Sequence, residues 1–353
     1  MLLSTEMALR NLWPLLSITP SAAHPSPSVA SHAASNRLLF PPLTTEDTPA
    51  SILDIERATL RNRKLLRDLS TFSIGGPCSL FLEVHSPAQL LSAARLARAR
   101  SLPLLVLGRG SNCLFSDRGF DGLVVLNRSP SASAEPIGPT GRVRAWCGYP
   151  FNRLGVQTAA EGWGGLEFAG GIPGTVGGAA FMNAGADGQE TADVVETVEV
   201  VTREGEVKLL GREDVSFGYR WSSMQEMKEL AAILAVTFRL HPSTAARNRQ
   251  RMFLDRRRKT QPIGDRSAGS VFRNPVGMGV TAGELIDIAG LKGFEIGGAK
   301  VSELHANFIV NKGGATAKDV LALIGYIKDR VDRLFGIQLK EEIRYVPYDH
   351  NSA

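Results

Sequence analysis

The sequence predicts an α+β fold, and two observations carry that prediction. Segments with strand character and segments with helical periodicity are mixed throughout residues 56–353. They do not follow the regular strand–helix alternation that is typical of a doubly wound parallel sheet. With 353 residues, of which 43% are hydrophobic and 21% charged, the chain can also bury a sizeable core.

The individual elements follow from hydrophobic spacing and from turn residues. Apolar runs predict strands at 79–84, 104–107, 122–126, 142–147, 197–202, 206–210, 232–240 and 342–346. Apolar residues at helical spacing, with proline at two of the starts, predict helices at 87–100, 150–161, 243–259, 281–289 and 317–335. The turn residues 203–205 are expected to join two of the strands into a hairpin.

Residues 1–55 predict a disordered leader rather than a domain. They are rich in Ser, Ala and Pro, and Glu6 is the only acidic residue up to Thr45. Such a segment buries too little apolar surface to offset its ordering entropy. A Ser-rich, acid-poor segment with scattered Arg is typical of an organellar transit peptide, so we expect a protein of the plastid stroma. A mitochondrial leader, a plain disordered tail on a cytoplasmic protein, and a secretory signal at 12–18 are the alternatives.

Charge and cysteine content exclude several other classes of protein. Lys and Arg total 40 against 35 Asp and Glu, a net charge of +5. That balance falls short of a nucleic-acid-binding surface but suits an anionic substrate. Cys78, Cys113 and Cys147 lack the spacing of a metal site and are expected to be reduced, with no metal bound. No apolar stretch approaches the roughly 18 residues of a membrane span, so membrane insertion is not expected.

Two glycine-rich loops are candidates for ligand binding. The first, residues 108–112, follows the strand predicted at 104–107 and reads Gly-Arg-Gly-Ser-Asn. The third glycine of a Rossmann fingerprint would fall at Cys113, so a nest of N–H groups for an anion and a plain tight turn both remain open. The second loop, residues 164–186, is much denser in glycine. It predicts main chain packed against a bulky charged cofactor, with free N–H groups at a helix start near 174–180 holding a pyrophosphate; a structural glycine crossing is the alternative.

Together with later motifs, these loops resemble the UDP-N-acetylenolpyruvoylglucosamine reductase (MurB) family, flavoenzymes of peptidoglycan synthesis. The matching segments stand in the family's order. They are TFSIGGP at 71–77, GRGSNCL at 108–114, the glycine loop at 165–185, FGYR at 217–220, SAGSVFRNP at 267–275, AGLKG at 289–293, HANFIVN at 305–311 and EEIR at 341–344. The GAAFMN segment at 178–183, followed by a compact C-terminal region, is similar to the family's shorter type II form.

The resemblance implies an FAD-binding domain of the vanillyl-alcohol-oxidase/PCMH type, made of two subdomains, at residues 56–241. A C-terminal α+β substrate-binding domain is expected at residues 242–353, with a final strand that returns to the FAD region. FAD would be bound non-covalently and NADPH would donate the hydride. The implied partner is a UDP-sugar, without nucleic acid, and the chain is expected to be a monomer.

The implied reaction reduces UDP-N-acetylglucosamine enolpyruvate to UDP-N-acetylmuramate. Negative charge builds up beside the substrate carboxylate, so the site needs a cation or hydrogen-bond donors and an acid. By resemblance Ser270 is the proton donor, and Arg220 and Glu342 stabilise the intermediate. The residues implied to bind FAD are Gly108, Gly110, Ser111, Asn112, Gly171, Ile172, Pro173, Gly174, Thr175, Gly177, Gly178 and Asn183. Those implied to bind the substrate are Arg273, Asn274, His305 and Asn307.

Several positions depart from the family's usual residues. Arg109, Asp187, Arg266 and Ser73 stand where the family usually has Gly, Tyr, Pro and Arg. None of them is a catalytic position, so we expect an active enzyme. The basic run at 247–259 would either attract a nucleotide phosphate or form a solvated helix face. Another flavin oxidoreductase of the same fold and a catalytically retired nucleotide-binding homologue are the alternative functions.

Overall fold

The structure, a computed structural model, describes residues 51–129 and 139–349. Most of the predicted leader, residues 1–50, therefore lies outside the described residues. Within the described ranges the helices are α1 (Ile52–Ala58), α2 (Pro87–Ala99), α3 (Phe151–Ala160), α4 (Val176–Met182), α5 (Ala246–Thr260), α6 (Ala282–Ile288) and α7 (Ala317–Phe335).

The first seven strands lie before residue 165. They are β1 (Leu60–Arg61), β2 (Cys78–Val84), β3 (Leu104–Leu107), β4 (Cys113–Phe115), β5 (Phe120–Asn127), β6 (Arg142–Trp146) and β7 (Trp163–Gly164). The later strands are β8 (Gly185–Ala186), β9 (Gln189–Glu190), β10 (Val195–Thr202), β11 (Val207–Gly211), β12 (Phe217–Gly218), β13 (Trp221–Ser222), β14 (Leu230–Arg239), β15 (His241–Pro242), β16 (Glu295–Ile296), β17 (Ala299–Val301), β18 (Ile309–Asn311) and β19 (Arg344–Val346).

A first sheet has the strand order β1-β2-β5-β3, in which β2, β5 and β3 run parallel. Helix α2 crosses from β2 to β3, as parallel strands require. The local sequence starts this helix sharply. The Ser86 hydroxyl accepts a hydrogen bond from the Gln89 N–H, and Pro87 occupies the first turn, where its missing N–H costs nothing.

A second sheet has the order β11-β10-β14-β6 and is antiparallel throughout. Strands β10 and β11 form the hairpin predicted around residues 203–205. Helices α2, α3 and α4 contribute buried apolar side chains to a core that also holds strands of both sheets. This shared core makes the two sheets one packed region, within the range where the FAD-binding domain is expected.

The C-terminal region has a core of its own, built from α6, α7 and the small sheet β16-β17-β18. Helix α7 begins with a capping box of Thr316 and Asp319 and ends at Gly336, whose φ of 67° suits a residue without a side chain. Phe72 and Leu114, from the first part of the chain, are buried in this same core. The region is therefore completed by residues that precede it by about 200 positions.

The last strand returns to the first part of the chain, as the resemblance implied. Strand β19 pairs in parallel with β4, and Arg344 lies opposite Cys113. The expected domain boundary between residues 241 and 242 therefore follows the order of the chain, but residues from each side of it pack with residues from the other. At the other end, α1 begins at Ile52 and buries Ile55 in the first core, so ordered structure starts before the expected leader boundary at residue 55.

The α+β class is confirmed, and the predicted helices and longer strands are present with ends that shift by a few residues. Strand β4 and the three strands of the C-terminal sheet were not predicted, because each has only two or three residues and no periodicity to detect. Among the described residues, no helix is both long enough and apolar enough to cross a membrane.

Candidate functional site

A two-residue turn presents one of the predicted catalytic side chains. Strands β12 and β13 pair with Gly218 opposite Trp221, so Tyr219 and Arg220 form the turn between them. Arg220 has a φ of 55°, in the left-handed region that glycine or asparagine usually fills. Such strain persists only where the surrounding structure fixes it, and it clusters at functional sites.

Two contacts hold the guanidinium group of Arg220 in a partly buried site around Arg220 and Glu342, which is called the cleft below. Its Nε donates to Glu342 Oε1 at 2.9 Å, and its Nη2 donates to the Gly185 carbonyl at 2.7 Å. The side chains of Arg220 and Glu342 are 19% and 17% exposed. The contact to Gly185 ties the turn to the second glycine loop, although the two residues are 35 positions apart.

The backbone brings Ser270 next to this ion pair. The Glu342 N–H donates to the Val271 carbonyl at 2.7 Å, and Phe272 forms a bridge with Glu341. Ser270 is therefore one residue from a direct contact with the Glu342 peptide. The structure thus brings together the three motifs that carry the predicted catalytic residues, with a side-chain contact between Arg220 and Glu342 and a backbone contact to the segment that carries Ser270.

Burial and charge set the ionisation of Glu342. Burial raises the pKa of its carboxyl group above the ordinary value, and the positive charges of Arg220 and Arg273 offset only part of that rise. The Arg273 N–H donates to the Lys340 carbonyl at 2.9 Å, so the Arg273 backbone lies beside the segment that carries Glu342. The Arg273 Nε atom is buried without a hydrogen-bond partner. An unpaired buried donor is costly, so this group is a candidate for binding an external acceptor.

The two glycine loops meet beside the catalytic cluster. The Ser111 hydroxyl donates to the Pro173 carbonyl at 3.0 Å, and a Cβ at Gly108 would lie 2.4 Å from Thr175 Oγ1. The Asn112 amide donates to the Glu342 carbonyl at 3.2 Å. The loops are therefore bound to each other, and the first of them is also bound to the segment that carries Glu342.

The predicted cluster of free N–H groups at a helix start is wrong for two of its members. Helix α4 starts at Val176, whose N–H donates to the Tyr149 carbonyl, and the Gly177 N–H donates to the Cys147 carbonyl. These donors already have protein acceptors, so they are not available to a pyrophosphate. A Cβ at Gly177 would also lie only 2.8 Å from Cys147 Cβ, so this glycine serves close packing within the protein.

Gly178 differs from its neighbour. It is exposed, and a Cβ there would meet only Thr175 Oγ1, at 3.8 Å, an ordinary contact distance. The protein's own packing does not require a glycine at this position. The absence of a side chain beside the two loops leaves room for an external group, which fits a bulky cofactor such as FAD.

Two of the predicted ligand-binding asparagines bind backbone instead. Asn183 is fully buried; its Nδ2 donates to the Gly218 carbonyl and its Oδ1 accepts from the Ala192 N–H. Asn307 is 3% exposed and pairs with both backbone groups of Phe272. Their amide groups are occupied, so both residues support the site from within the protein.

The two other predicted substrate residues also make local contacts. Asn274 Oδ1 accepts from the Ala282 N–H at the start of α6, and its own N–H donates to the Tyr219 hydroxyl at 3.4 Å. His305 Nδ1 accepts from the Asn307 N–H at 3.2 Å, and burial lowers the pKa of its imidazole. Asn274 is exposed at the cleft, whereas His305 lies half-buried behind the segment that carries Ser270.

The basic run on α5 is divided between paired and unpaired side chains. Arg249 pairs with the fully buried carboxylate of Glu167 at 3.2 Å, and Arg256 lies 3.6 Å from Asp187. Arg257 packs its Cδ against Gly171, and burial lowers the pKa of its guanidinium. The run is thus neither a uniform solvated face nor a single phosphate site.

Two further residues of the cleft were missed by sequence reasoning. Tyr219 lies under the Arg220 guanidinium, 4.9 Å from ring centroid to Cζ. Arg344 donates to Gln225 Oε1 at 3.1 Å and lies over the Phe181 ring. Both residues belong to motifs that were recognised, FGYR and EEIR, so the signal was present in the sequence but was assigned to their neighbours alone.

Comparisons with known proteins agree with this geometry. Residues 78–211 match the model of an FAD binding domain, and residues 261–346 match the C-terminal domain of UDP-N-acetylenolpyruvoylglucosamine reductase. The reductase of that name from Protochlamydia amoebophila is 48% identical over 292 residues, which cover 82% of this chain and 94% of the relative. The one from Acaryochloris marina is 40% identical over 304 residues, covering 85% and 97%.

A solved structure extends the likeness to three dimensions. The crystal structure of UDP-N-acetylenolpyruvylglucosamine reductase (MurB) from Thermus caldophilus has a TM-score of 0.68 and 35% sequence identity. The match covers 82% of this chain and 100% of the crystallised one. The fold and the paired glycine loops define an oxidoreductase that binds FAD. More narrowly, the chain belongs to the UDP-N-acetylenolpyruvoylglucosamine reductase family.

Proposed function

We propose that this protein reduces UDP-N-acetylglucosamine enolpyruvate to UDP-N-acetylmuramate, with NADPH as the hydride donor and FAD as the carrier. The observation that carries the proposal is the assembly of Arg220, Glu342 and the Ser270 segment within one cleft. These residues come from three separate motifs, and the Arg220–Glu342 contact joins positions 122 residues apart.

The two glycine loops would hold FAD, with Gly178 leaving the space and Gly108, Gly174 and Ser111 forming the adjoining wall. When it is bound, FAD supplies hydride transfer from NADPH to the enolpyruvyl group. Loop contacts such as Ser111 to Pro173 pre-form this wall, which lowers the ordering cost of binding.

Arg220 would bind the substrate carboxylate and the negative charge that builds up beside it. A guanidinium has five N–H donors, and the contacts to Glu342 and Gly185 use Nε and Nη2. The group can therefore accept a further anionic partner without releasing Glu342. Glu342 fixes its orientation, and the raised pKa of that carboxyl indicates that neighbouring positive charge does not fully compensate its burial.

Ser270 would deliver the proton to the carbon next to the carboxylate. A serine hydroxyl is a weak acid, so it can protonate only a strongly basic carbon, which an enolate-like species provides. Arg273, with its unpaired buried Nε, would contact the substrate, and Asn274 would do so from the exposed side of the cleft. We place His305 and Asn307 behind this layer because their polar atoms already have backbone partners.

A flavin spectrum combined with a turnover assay tests the proposal. The purified protein should be yellow and should oxidise NADPH only when the enolpyruvyl sugar nucleotide is present. In Ser270→Ala, reduction of the flavin by NADPH should be retained, whereas its reoxidation by the substrate should slow by about 100-fold or more, the usual contribution of a positioned acid. Survival of both half-reactions at wild-type rates would remove the proton-donor role.

The same experiment separates the alternative functions. Rapid reoxidation of the reduced flavin by oxygen, without need of the sugar nucleotide, would favour another oxidoreductase of this fold. A protein that binds FAD but reduces no substrate would be a retired homologue. A protein that stays colourless after refolding with FAD would contradict every function that requires bound flavin.

We further propose that the protein acts in the plastid after removal of its leader. The leader itself lies largely outside the described residues, and support comes from its composition and from relatives in cyanobacteria and chlamydiae. Because α1 begins at Ile52 and Ile55 is buried, cleavage is expected before Ile52. N-terminal sequencing of the protein from isolated plastids tests this, and recovery of the full-length chain from cytosol would refute it.

A further inference from the structure

We propose that Asn307 is a positioning residue that fixes the Ser270–Arg273 segment for proton delivery and substrate binding. Asn307 lies beside this segment and contacts its two central residues, Val271 and Phe272. The inference rests on the proposed function for its catalytic consequence. The contacts between Asn307 and this segment are observed directly among the described residues.

The segment that carries Ser270 and Arg273 is not a regular strand. It forms two isolated bridges, Ser270 with Phe308 on one side and Phe272 with Glu341 on the other. In a regular β-sheet, repeated backbone hydrogen bonds to both neighbouring strands would hold this segment. Here only a few hydrogen bonds determine the conformation of residues 270–273. The position of the Ser270 hydroxyl and of the Arg273 guanidinium therefore depends on each of those bonds.

Asn307 makes three of the hydrogen bonds that hold the Ser270–Arg273 segment. Its Oδ1 accepts from the Phe272 N–H at 2.9 Å, and its Nδ2 donates to the Phe272 carbonyl at 2.8 Å. Its own carbonyl accepts from the Val271 N–H at 2.8 Å. The side chain thus pairs with both backbone groups of Phe272, as a neighbouring strand would.

The surroundings of Asn307 hold this clamp rigid. The residue is 3% exposed, so water cannot replace its hydrogen bonds. Its N–H donates to His305 Nδ1, which also fixes the orientation of that imidazole. The Val271 carbonyl on the opposite edge accepts from the Glu342 N–H, so the clamp also sets the spacing between Ser270 and Glu342.

Asn311 provides a matched control on the same stretch of chain. It is also buried and also pairs with backbone: Nδ2 donates to the Phe72 carbonyl, and Oδ1 accepts from the Gly313 and Ala315 N–H groups. These partners belong to the segment before β2 and to the loop before α7. An equal substitution at Asn311 therefore costs similar stability but leaves the Ser270 segment untouched.

The test compares Asn307→Asp with Asn311→Asp in the FAD-loaded protein. Aspartate keeps an acceptor for the Phe272 N–H but turns a second oxygen towards the Phe272 carbonyl. N307D is expected to slow flavin reoxidation by the enolpyruvyl sugar nucleotide by about 10- to 100-fold, the scale that misplacement of a reacting group produces. Flavin reduction by NADPH should stay within about twofold of wild type.

The solvent isotope effect on reoxidation should increase in N307D, because proton delivery becomes slower relative to hydride transfer. N311D should show a lower Tm with reoxidation rate and isotope effect within about twofold of wild type. Equal behaviour of the two variants in a protein whose wild type turns over would overturn the inference and leave the proposed function intact.

The second measurement is amide hydrogen exchange of the wild-type protein. It requires neither a folded N307D variant nor turnover by the wild type. The Phe272 N–H, held by the Asn307 side chain, should exchange as slowly as the Val271 N–H, held by the Asn307 backbone. Exchange of Phe272 at the rate of an exposed amide would show that the clamp does not form.

Discussion

Two arginine–glutamate pairs of similar burial behave differently in this molecule. Arg144 and Glu199 lie on the second sheet, with side chains 23% and 10% exposed, and form two parallel hydrogen bonds of 2.5 and 2.6 Å. The Arg144 guanidinium also lies over the Trp146 ring. Arg220 and Glu342 form one hydrogen bond of 2.9 Å, and the other Arg220 contact goes to a backbone carbonyl.

The difference lies in how completely each pair satisfies itself. The bidentate geometry at Arg144 uses both carboxylate oxygens and is the strong form of this contact. The Arg220–Glu342 pair leaves guanidinium donors for a ligand, and burial raises the pKa of the Glu342 carboxyl group more than the positive charges of Arg220 and Arg273 lower it. Arg273 also has a buried Nε without a hydrogen-bond partner. Burial alone does not distinguish the two pairs, so the expectation that Arg220 binds a ligand rests on its incomplete pairing.

The largest expected effect is that of removing either arginine. Arg220→Ala should lower turnover by about 100- to 1,000-fold, because it removes donors to the developing charge. Arg144→Ala should leave turnover within about twofold but lower stability by about 3 kcal/mol, since it leaves a carboxylate buried without its guanidinium. Steady-state kinetics and thermal unfolding of both variants provide the measurement. A comparable loss of activity in the two variants would remove the distinction between the pairs.

Two adjacent glycines in α4 also differ in whether the protein itself fills the space beside them: Gly177 packs against Cys147, whereas Gly178 faces open space. Substitutions at these glycines should have smaller effects than the removal of Arg220. Gly178→Ala should weaken FAD binding by about tenfold, because a methyl group enters the space assigned to the cofactor, while the Tm of the apoprotein is unchanged or slightly higher. Gly177→Ala should destabilise the apoprotein by about 1–3 kcal/mol, because its methyl group would meet Cys147.

Titration of apoprotein with FAD and thermal unfolding without FAD separate the two glycine variants. If Gly178→Ala binds FAD as tightly as wild type, the cofactor does not occupy the space beside this residue. If Gly177→Ala is as stable as wild type, the packing against Cys147 is looser than the structure shows.

The smallest effect concerns the pH dependence of stability. A raised pKa of Glu342 means that the folded protein holds this proton more tightly than the unfolded chain. Stability from this group is therefore fully present below the ordinary Glu pKa, 4.5, and is lost as pH rises through the raised value. Glutamine imitates the neutral carboxyl group and has no such dependence.

Glu342→Gln should accordingly gain in Tm relative to wild type as pH rises from about 4 to 8. Thermal unfolding at several pH values measures the difference between the two proteins. A difference that stays constant, or one that shrinks towards high pH, would contradict the raised pKa.

The sequence predicted much of the fold because its longer elements carry strong local signals. Strand β3 has the predicted bounds, and α7 begins and ends at the predicted residues with its capping box and terminal glycine. Strand β4 carries no such signal, whereas the last strand was predicted at 342–346 and is observed as β19 at Arg344–Val346. Their parallel pairing joins segments that are more than 200 residues apart, and no local pattern specifies a partner at that distance.

The candidate site shows a similar division. Ser270, Arg220 and Glu342 were identified through motif resemblance, and the structure brings their backbone segments together. Asn183 and Asn307 were expected to contact ligands but bind backbone groups. An asparagine in a motif has the same donors and acceptors in either role, so only its neighbours in space reveal which role it has.

The return of the chain at β19 has a consequence for how fast the protein folds. The Asn112–Glu342 bond closes a loop of 230 residues, and the Arg220–Glu342 pair closes one of 122. The entropy of closing such loops must be met before the contacts yield any stabilisation, so pairings of this kind form late. The FAD-binding region has a core that can collapse on its own hairpins and crossovers. We therefore expect the candidate site to form late in folding, so a refolding experiment should recover secondary structure well before it recovers activity.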